Sequence, residues 1–469
     1  MEELCKGTSD TFVMLGSMVF QQPGGNRNMI FTREPANVQY ILKDNVDTFL
    51  KSMADGTTGI PLLEEFLGQG IFLIDHGPRS LNPRDGGAKW YQQRKTAARI
   101  FTKNAFRNFY QDVFLEHGHV LMKIFDGLVG KEFDIESHMF SYTMDSFGKI
   151  AFGVSMGNLT GDDTVFGRAF DKAHEHAILH FFSSFKGQML ANCLPFPFNK
   201  LGVKCVDMVN PSYKEFFKHN AVLDEYSYGI IAARRTQPAG SDLLGLMLEE
   251  TDENGAAFTD KFLRDIVINF IIAGRDTTAC TLSWLWYEIS RPENLHIQMR
   301  LIEEIDKTLG GKDPTFDAVN SMEFLRGVVY EVLRLHPIVP LTSLQCHQHC
   351  TLPDGTPCPK QTRVFYSSYA QGRSEKIWGK SALTFDPTRW IPFKQPSPYE
   401  FSVFKGGPRL CLGMNMAIFE TMLLASMTLQ RFTLSLVDGH EYFYSVKLTM
   451  SVMDVATGQD RLLVRLTKR

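Results

Sequence analysis

Phe404-Lys405-Gly406-Gly407-Pro408-Arg409-Leu410-Cys411-Leu412-Gly413 places one cysteine between two glycines, two residues after an arginine. The apolar run that follows predicts an amphipathic helix over Leu412–Gln430. A helix beginning there would point its positive end at the sulfur, and the glycines would leave backbone N–H groups open to it. Both effects favour the thiolate, the form that ligates metals or attacks electrophiles. Taken alone, the segment is equally compatible with a structural cysteine in a Gly-Pro turn. A phosphate cradle is excluded, because no Gly-Lys-Ser/Thr follows.

The surrounding chain has 469 residues, 44 % of them hydrophobic and 22 % charged. That composition excludes disordered, collagen-like and coiled-coil classes. A formal charge of −3 makes the whole molecule a poor match for nucleic acid. Eight cysteines without a paired framework point to a reducing compartment. The start, Met1-Glu2-Glu3-Leu4-Cys5-Lys6, does not read as a signal peptide. The longest apolar stretch, from Ile266 to Tyr287, is broken by Arg275-Asp276 and Thr277-Thr278. It reads as a buried helix, not a membrane span.

Helical periodicity dominates from Glu34 to Leu436. It predicts helices over 35–44, 88–103, 114–127, 137–152, 164–180, 212–235, 260–290, 293–309, 321–335 and 412–430. Strand signals cluster at 14–19, 28–32 and 350–367, with an Asp354-Gly355 hairpin turn, and again after Phe432. The expectation is a single domain over 1–469, mainly α with a small β region. A long central helix, 260–290, would run through its middle.

Two further segments carry chemistry. Glu331 and Arg334, at i and i+3, share a helix face flanked by Val328, Val329, Leu333 and Leu335. If buried, the pair needs further hydrogen bonds, and Arg389 is the expected third member. Exposed, it would be an ordinary surface pair. Ala273-Gly274-Arg275-Asp276-Thr277-Thr278 sets polar residues inside the apolar helix, against local propensity. Such a break marks either a kink or a place where a hydroxyl and a carboxylate bind a small polar ligand and relay protons.

In this order, the segments resemble the cytochrome P-450 superfamily of haem-thiolate monooxygenases. Phe404, Gly407, Arg409, Cys411 and Gly413 meet its Phe-x-x-Gly-x-Arg-x-Cys-x-Gly pattern. Glu331 and Arg334 meet Glu-x-x-Arg, Ala273–Thr278 meets the central-helix pattern, and Trp90 with Arg94 meets Trp-x-x-x-Arg. The resemblance implies the cytochrome P-450 fold, with the central helix over haem b. Cys411 would be the axial ligand of the haem iron, and Arg94, Arg409 and the Trp90 indole would hold the propionates. Thr277, with Asp276 behind it, would stabilise dioxygen and deliver protons. Glu331, Arg334 and Arg389 would be structural. Substrate contacts would come from Ala273, Thr277, Val339, Pro340 and Leu341, and Phe181-Phe182-Ser183-Ser184-Phe185 would line the access route.

No dinucleotide fingerprint occurs, so the resemblance implies electrons from an NADPH-dependent flavoprotein reductase. Lys89, Arg94, Lys95, Arg99, Lys103 and Arg107 suggest a basic docking face for it. Within the family, Ala273–Thr278, Tyr369–Arg373 and Trp378-Gly379 look most like the fatty-acid terminal hydroxylases of plants and fungi. That implies a long-chain fatty acid substrate, oxidised near its end, and the cytosolic face of the endoplasmic reticulum membrane. The alternatives are an isomerase or dehydratase of lipid hydroperoxides and an inactive haem-binding fragment.

Several features depart from the pattern. Set against microsomal members, the chain reads as starting downstream of their membrane anchor and Pro-rich hinge, as either a peripheral or an N-terminally truncated protein would; 75–85 looks inserted, and Leu344 stands near where relatives often carry a basic residue. Cys346-His347-Gln348-His349-Cys350 superficially suggests zinc, but residues alternating along a strand cannot converge without a sharp turn. His176 and His180 read as a surface pair one helical turn apart.

Overall fold

The computed structural model describes residues 10–14, 29–52, 61–75, 88–102, 105–161, 165–192 (side chains to 179), 210–238, 240, 242–252, 255–445 and 447–469. The expectations for 15–19, 76–85, Lys103 and the side chains of His180 and Phe181–Phe185 lie outside these.

Helices dominate, as the periodicity predicts. Those that position the site are α1 (Ala88–Ala98), α2 (Ile135–Phe152), α3 (Val165–Asn192), α4 (Pro211–Arg235), α5 (Asp260–Ile271), α6 (Thr277–Ser290), α7 (Glu323–Leu335) and α8 (Met414–Leu429). Asp134 caps α2 by accepting from the Glu136 N–H, and Thr259 caps α5 by accepting from Phe262. At its other end α2 stops at Gly153, which takes the left-handed conformation at φ +70°.

The expected central helix is continuous from Asp260 to Ser290, but its middle is a π-helical turn, Ile272–Asp276. The break coincides with the Ala-Gly-Arg-Asp segment that offends propensity. Trp284 and Trp286 bury the second half, and the Trp284 indole donates to the Met450 carbonyl at 2.7 Å. The helix after Cys411 differs from the expected amphipathic one. Every residue from Phe419 to Leu429 is buried, because α8 packs against α6 and α7 in the interior.

The β region is small. A five-stranded sheet contains β1 (Thr11–Met14), β2 (Met29–Thr32), β3 (Phe49–Leu50), β4 (Leu341–Cys346) and β7 (Arg363–Ser367), in the order β1-β2-β7-β4-β3. Among the described residues, β2 and β7 are the strands that pair in parallel. A short hairpin, β5 (Cys350–Thr351) and β6 (Pro357–Cys358), lies between β4 and β7 in the chain. One continuous cluster of buried apolar side chains runs from Leu62 to Leu466, and a second, smaller one lies under the five-stranded sheet. Among the described residues, no helix is long and apolar enough to cross a membrane.

Candidate active site

The cysteine loop is shaped by its backbone. The Cys411 N–H donates to the Phe404 carbonyl at 2.9 Å, and Leu410 N–H to Gly407 at 3.1 Å. Gly407 sits at φ +59°, and a Cβ there would lie 2.0 Å from the Leu42 carbonyl oxygen, a backbone atom that cannot swing away. Glycine therefore lets the loop lie against the Tyr40–Asp44 turn.

Cys411 opens into a cavity of about 1450 Å³, counted out to its mouth. Phe404, Lys405, Arg409 and Met416 surround it on the loop side, and Trp90 and Arg94 enter from α1. Ala273, Gly274 and Thr277, at the π-helical turn, line the same space.

Burial pushes the Cys411 thiol above its ordinary value. The Gly413 and Met414 N–H groups and the Lys405 and Arg94 charges pull the other way without prevailing. The backbone N–H groups at the helix start favour the thiolate, as expected, but burial opposes them and is the larger effect. Coordination to a metal ion is what would remove the proton.

Four cationic side chains line the cavity: Lys51, Arg94, Lys405 and Arg409. Burial lowers all four, Lys405 to about 8 and Arg409 to about 10, and Lys405 and Arg409 depress Lys51 further. Asp75 acts on Lys51 and Arg409 with the opposite sign, but its carboxylate already accepts from the Lys51 N–H at 2.6 Å. Arg409 donates to the Ile74 carbonyl at 2.6 Å and stacks 4.9 Å from the Trp90 ring centre, and Arg94 lies 5.5 Å from the same ring. Crowded buried cations are tolerable when a ligand brings anionic groups. A porphyrin carrying two carboxylates and an iron that takes a thiolate fits this donor set.

Lys51 and Lys405 escaped the sequence analysis. Lys405 lies inside the cysteine motif, but Lys51 carries no local signal and reaches the cavity through the pairing of β3 with β4. Leu344 is buried in the smaller core. With about 1.5–3 kcal/mol per hydrogen bond to a charged group, Lys51→Ala should speed haem loss to a haem scavenger about ten- to hundred-fold. An unchanged loss rate would remove Lys51 from the anion-binding set.

Thr277 Oγ1 donates to the Ala273 carbonyl at 2.5 Å, across the π-helical turn. The Asp276 carboxyl is not part of the cavity wall. It receives the Arg275 guanidinium at 2.8 Å and lies 3.5 Å from His174 Nδ1. Burial pushes it up to about 6 against the pull of Arg275, which also holds Asp171 at 2.6 Å. Gly274 admits the ring of Phe147, another cavity residue, where a Cβ would collide with it at 2.1 Å. Val339 and Ile338 line the cavity, but Pro340 and Leu341 do not. The Pro340 carbonyl accepts from Ser367 Oγ at 3.2 Å, and Leu341 starts β4 opposite Ser367.

Glu331 and Arg334 are wholly buried and form a two-pronged pair, at 2.8 Å to Nε and 2.7 Å to Nη2. Arg389 joins at 2.9 Å, as the flanking sequence suggested. Trp390, unsuspected, donates its indole N–H to Glu331 at 2.9 Å, and the Asp386 N–H adds a bond at 2.8 Å. Arg334 also donates to the Gly372, Ala382 and Thr384 carbonyls. One carboxylate and one guanidinium thus tie α7 to the segments that lead into the cysteine loop.

The expected basic face is thinner than the sequence suggests. Arg94 turns into the cavity, Arg99 pairs with Glu250 at 3.3 Å, and Arg107 pairs with Asp317 at 2.8 Å.

A thiol open to the cavity, a ring of cations and a polar break in a long helix, meeting in one place, define a haem-thiolate site. The family model for cytochrome P-450 matches residues 64–453, and the chain belongs to that family. Its fold is the cytochrome P-450 fold, its cofactor is haem b held by a cysteine thiolate, and it is a monooxygenase. The family works with dioxygen, a hydrophobic substrate and a reductase as redox partner.

Among its relatives is cytochrome P-450 CYP94D108 of Paris polyphylla, 33 % identical over 428 residues, covering 87 % of this chain and 79 % of that one. Cytochrome P-450 86B1 of Arabidopsis thaliana is 31 % identical over 464 residues, covering 93 % and 78 %. Cytochrome P-450 94A2 of Vicia sativa is 28 % identical over 470 residues, covering 95 % and 84 %.

Proposed function

We propose that this chain, acting as one catalytic domain, hydroxylates a long-chain fatty acid at or near its terminal carbon. Electrons come from an NADPH-dependent flavoprotein reductase at the cytosolic face of the endoplasmic reticulum membrane. The observation that carries the reading is the lining of the cavity around Ala273 and Thr277, where Phe72, Phe147, Phe270, Ile338 and Val339 offer an alkyl chain an apolar bed. The resemblance of Ala273–Thr278 and Tyr369–Arg373 to plant and fungal fatty-acid hydroxylases supports the same substrate class.

In this reading Cys411, as a thiolate, would be the iron ligand, and Lys51, Arg94, Lys405 and Arg409 would neutralise the propionates. Bound haem supplies dioxygen activation, with the electron-rich thiolate favouring O–O cleavage. The apolar walls exclude bulk water and leave the chain end as the reachable C–H bond. Thr277 Oγ1, hydrogen-bonded to Ala273, is the hydroxyl positioned to hand on a proton. Asp276, next in the chain, is the reservoir behind it.

A carboxyl that titrates near 6 holds its proton better than an unfolded aspartate does. Its stabilising contribution is therefore present at low pH and is lost as pH rises through about 6. As a proton reservoir it should give coupling between NADPH consumption and product that declines across the same range. Asp276→Asn should flatten that profile and divert reducing equivalents from product. A variant with the unaltered profile would remove Asp276 from proton delivery.

The direct test is incubation of the holoenzyme with reductase, NADPH and saturated fatty acids of graded length. Hydroxylated product, with matched NADPH consumption, is expected. Turnover of none of these acids alongside turnover of an unrelated apolar substrate would overturn the fatty-acid assignment while leaving the monooxygenase in place.

A further inference from the structure

Far along the chain from the cysteine loop, three other cysteines converge. Cys346 ends β4, and residues 347–349 make the sharp turn that an uninterrupted strand would not allow. This returns Cys350 to 3.8 Å from Cys346, sulfur to sulfur. Cys358 stands directly opposite Cys350 in the β5–β6 hairpin. All three sulfurs lie within 4.8 Å of one another. Cys346 and Cys358 are fully buried in the smaller core and Cys350 is half-buried, so the cluster has one side open to entry. None of the three lines the large cavity.

The spacing is informative. With metal–sulfur bonds of about 2.3 Å, tetrahedral geometry sets neighbouring sulfurs ~3.8 Å apart. A disulfide needs about 2.05 Å. The histidines between the cysteines are engaged elsewhere: His347 Nε2 lies 2.9 Å from the Ser52 carbonyl, and His349 Nδ1 accepts from the Lys360 N–H at 3.3 Å. Of the five residues in that segment only the two cysteines meet, and they do so through the sharp turn that convergence requires; the third thiol, Cys358, arrives from the neighbouring hairpin.

We propose that Cys346, Cys350 and Cys358 bind a thiophilic d10 metal ion, zinc(II) or copper(I), as a three-thiolate site. Three soft thiolates select these ions over hard ones such as magnesium. Each thiol releases its proton on binding, so the complex carries one net negative charge around zinc and two around copper(I). The site clasps the end of β4 to the β5–β6 hairpin. It also abuts β3, since Phe49 pairs with Cys346, and Lys51 follows β3 into the cavity. The alternative is a cluster of three small apolar side chains packing as free thiols.

The test uses the haem-replete protein, reduced and desalted without oxygen, then dialysed against zinc(II) or copper(I) buffered by a competing chelator. Metal is counted against haem iron. About one additional zinc or copper per haem is expected to be retained by the wild-type protein compared with Cys350→Ser and Cys358→Ser. The arm that saturates at the lower free concentration identifies the ion. An unchanged carbon monoxide spectrum reports that each variant is folded, and Cys350→Ser, half-buried, carries the test if Cys358→Ser does not fold. Equal retention of both ions by wild-type protein and Cys350→Ser would overturn the proposal, as would a Cys346–Cys350 disulfide that forms in air with metal present.

Discussion

Cys411→Ala removes turnover altogether while leaving the fold. Lys51, Arg94, Lys405 and Arg409, which would hold the haem carboxylates, are all retained in this variant, so the pocket would still take up the porphyrin. The iron loses its one anionic protein ligand, and with it the electron donation that favours O–O cleavage. A Cβ fits the loop, because the Cys411 N–H bond to Phe404 is a backbone bond that alanine keeps. Product formation from any substrate should fall to the background of free haem, whereas thermal unfolding should shift far less than activity. Residual reductase-driven turnover near the wild-type rate would mean that another side chain ligates the iron.

The second large effect falls on stability. Glu331→Gln leaves the side chain its length but takes away its charge, and Arg334 then sits wholly buried with no anionic partner on its own helix. Breaking one partner of such a pair costs about 3–5 kcal/mol, a large share of the ~5–15 kcal/mol that holds a typical domain together. Arg389 and the Trp390 indole lose their charged acceptor in the same step. The expected outcome is protein recovered largely without haem, with a lowered unfolding midpoint. Arg389→Lys, at the rim of the network, should cost much less. Equal stability of Glu331→Gln and wild-type protein would show that the carbonyls of Gly372, Ala382 and Thr384 suffice to hold Arg334.

Much of this site is legible in the sequence where the chemistry is local. Glu331 and Arg334 are three residues apart, and their apolar flanks already imply burial. Cys411 lies in a loop whose glycines and arginine sit beside it. The break at Ala273–Thr278 is visible because it violates helix propensity, although the π-helical turn that results is not. Features created by distant segments are hidden. Lys51 and Asp75 meet the cysteine loop only because β3 pairs with β4 and 71–75 folds beside it. Cys358 joins Cys346 and Cys350 through a hairpin, and Trp390 finds Glu331 only once α7 is packed. α8 is read as amphipathic from its flanks, yet neighbours on all sides bury it. The Cys411 thiol is read as ionised because loop and helix end can be seen in sequence, whereas the desolvation that outweighs them cannot.

The central claim is that Cys411, as a thiolate, holds the haem iron in the cavity it shares with Thr277. The most direct measurement is the absorption spectrum of the reduced wild-type protein with carbon monoxide. The account predicts the strongly red-shifted band of a thiolate-ligated haem, lost in Cys411→Ala. A band at the position given by histidine-ligated haem in freshly reduced wild-type protein, or a red-shifted band that survives in Cys411→Ala, would contradict it.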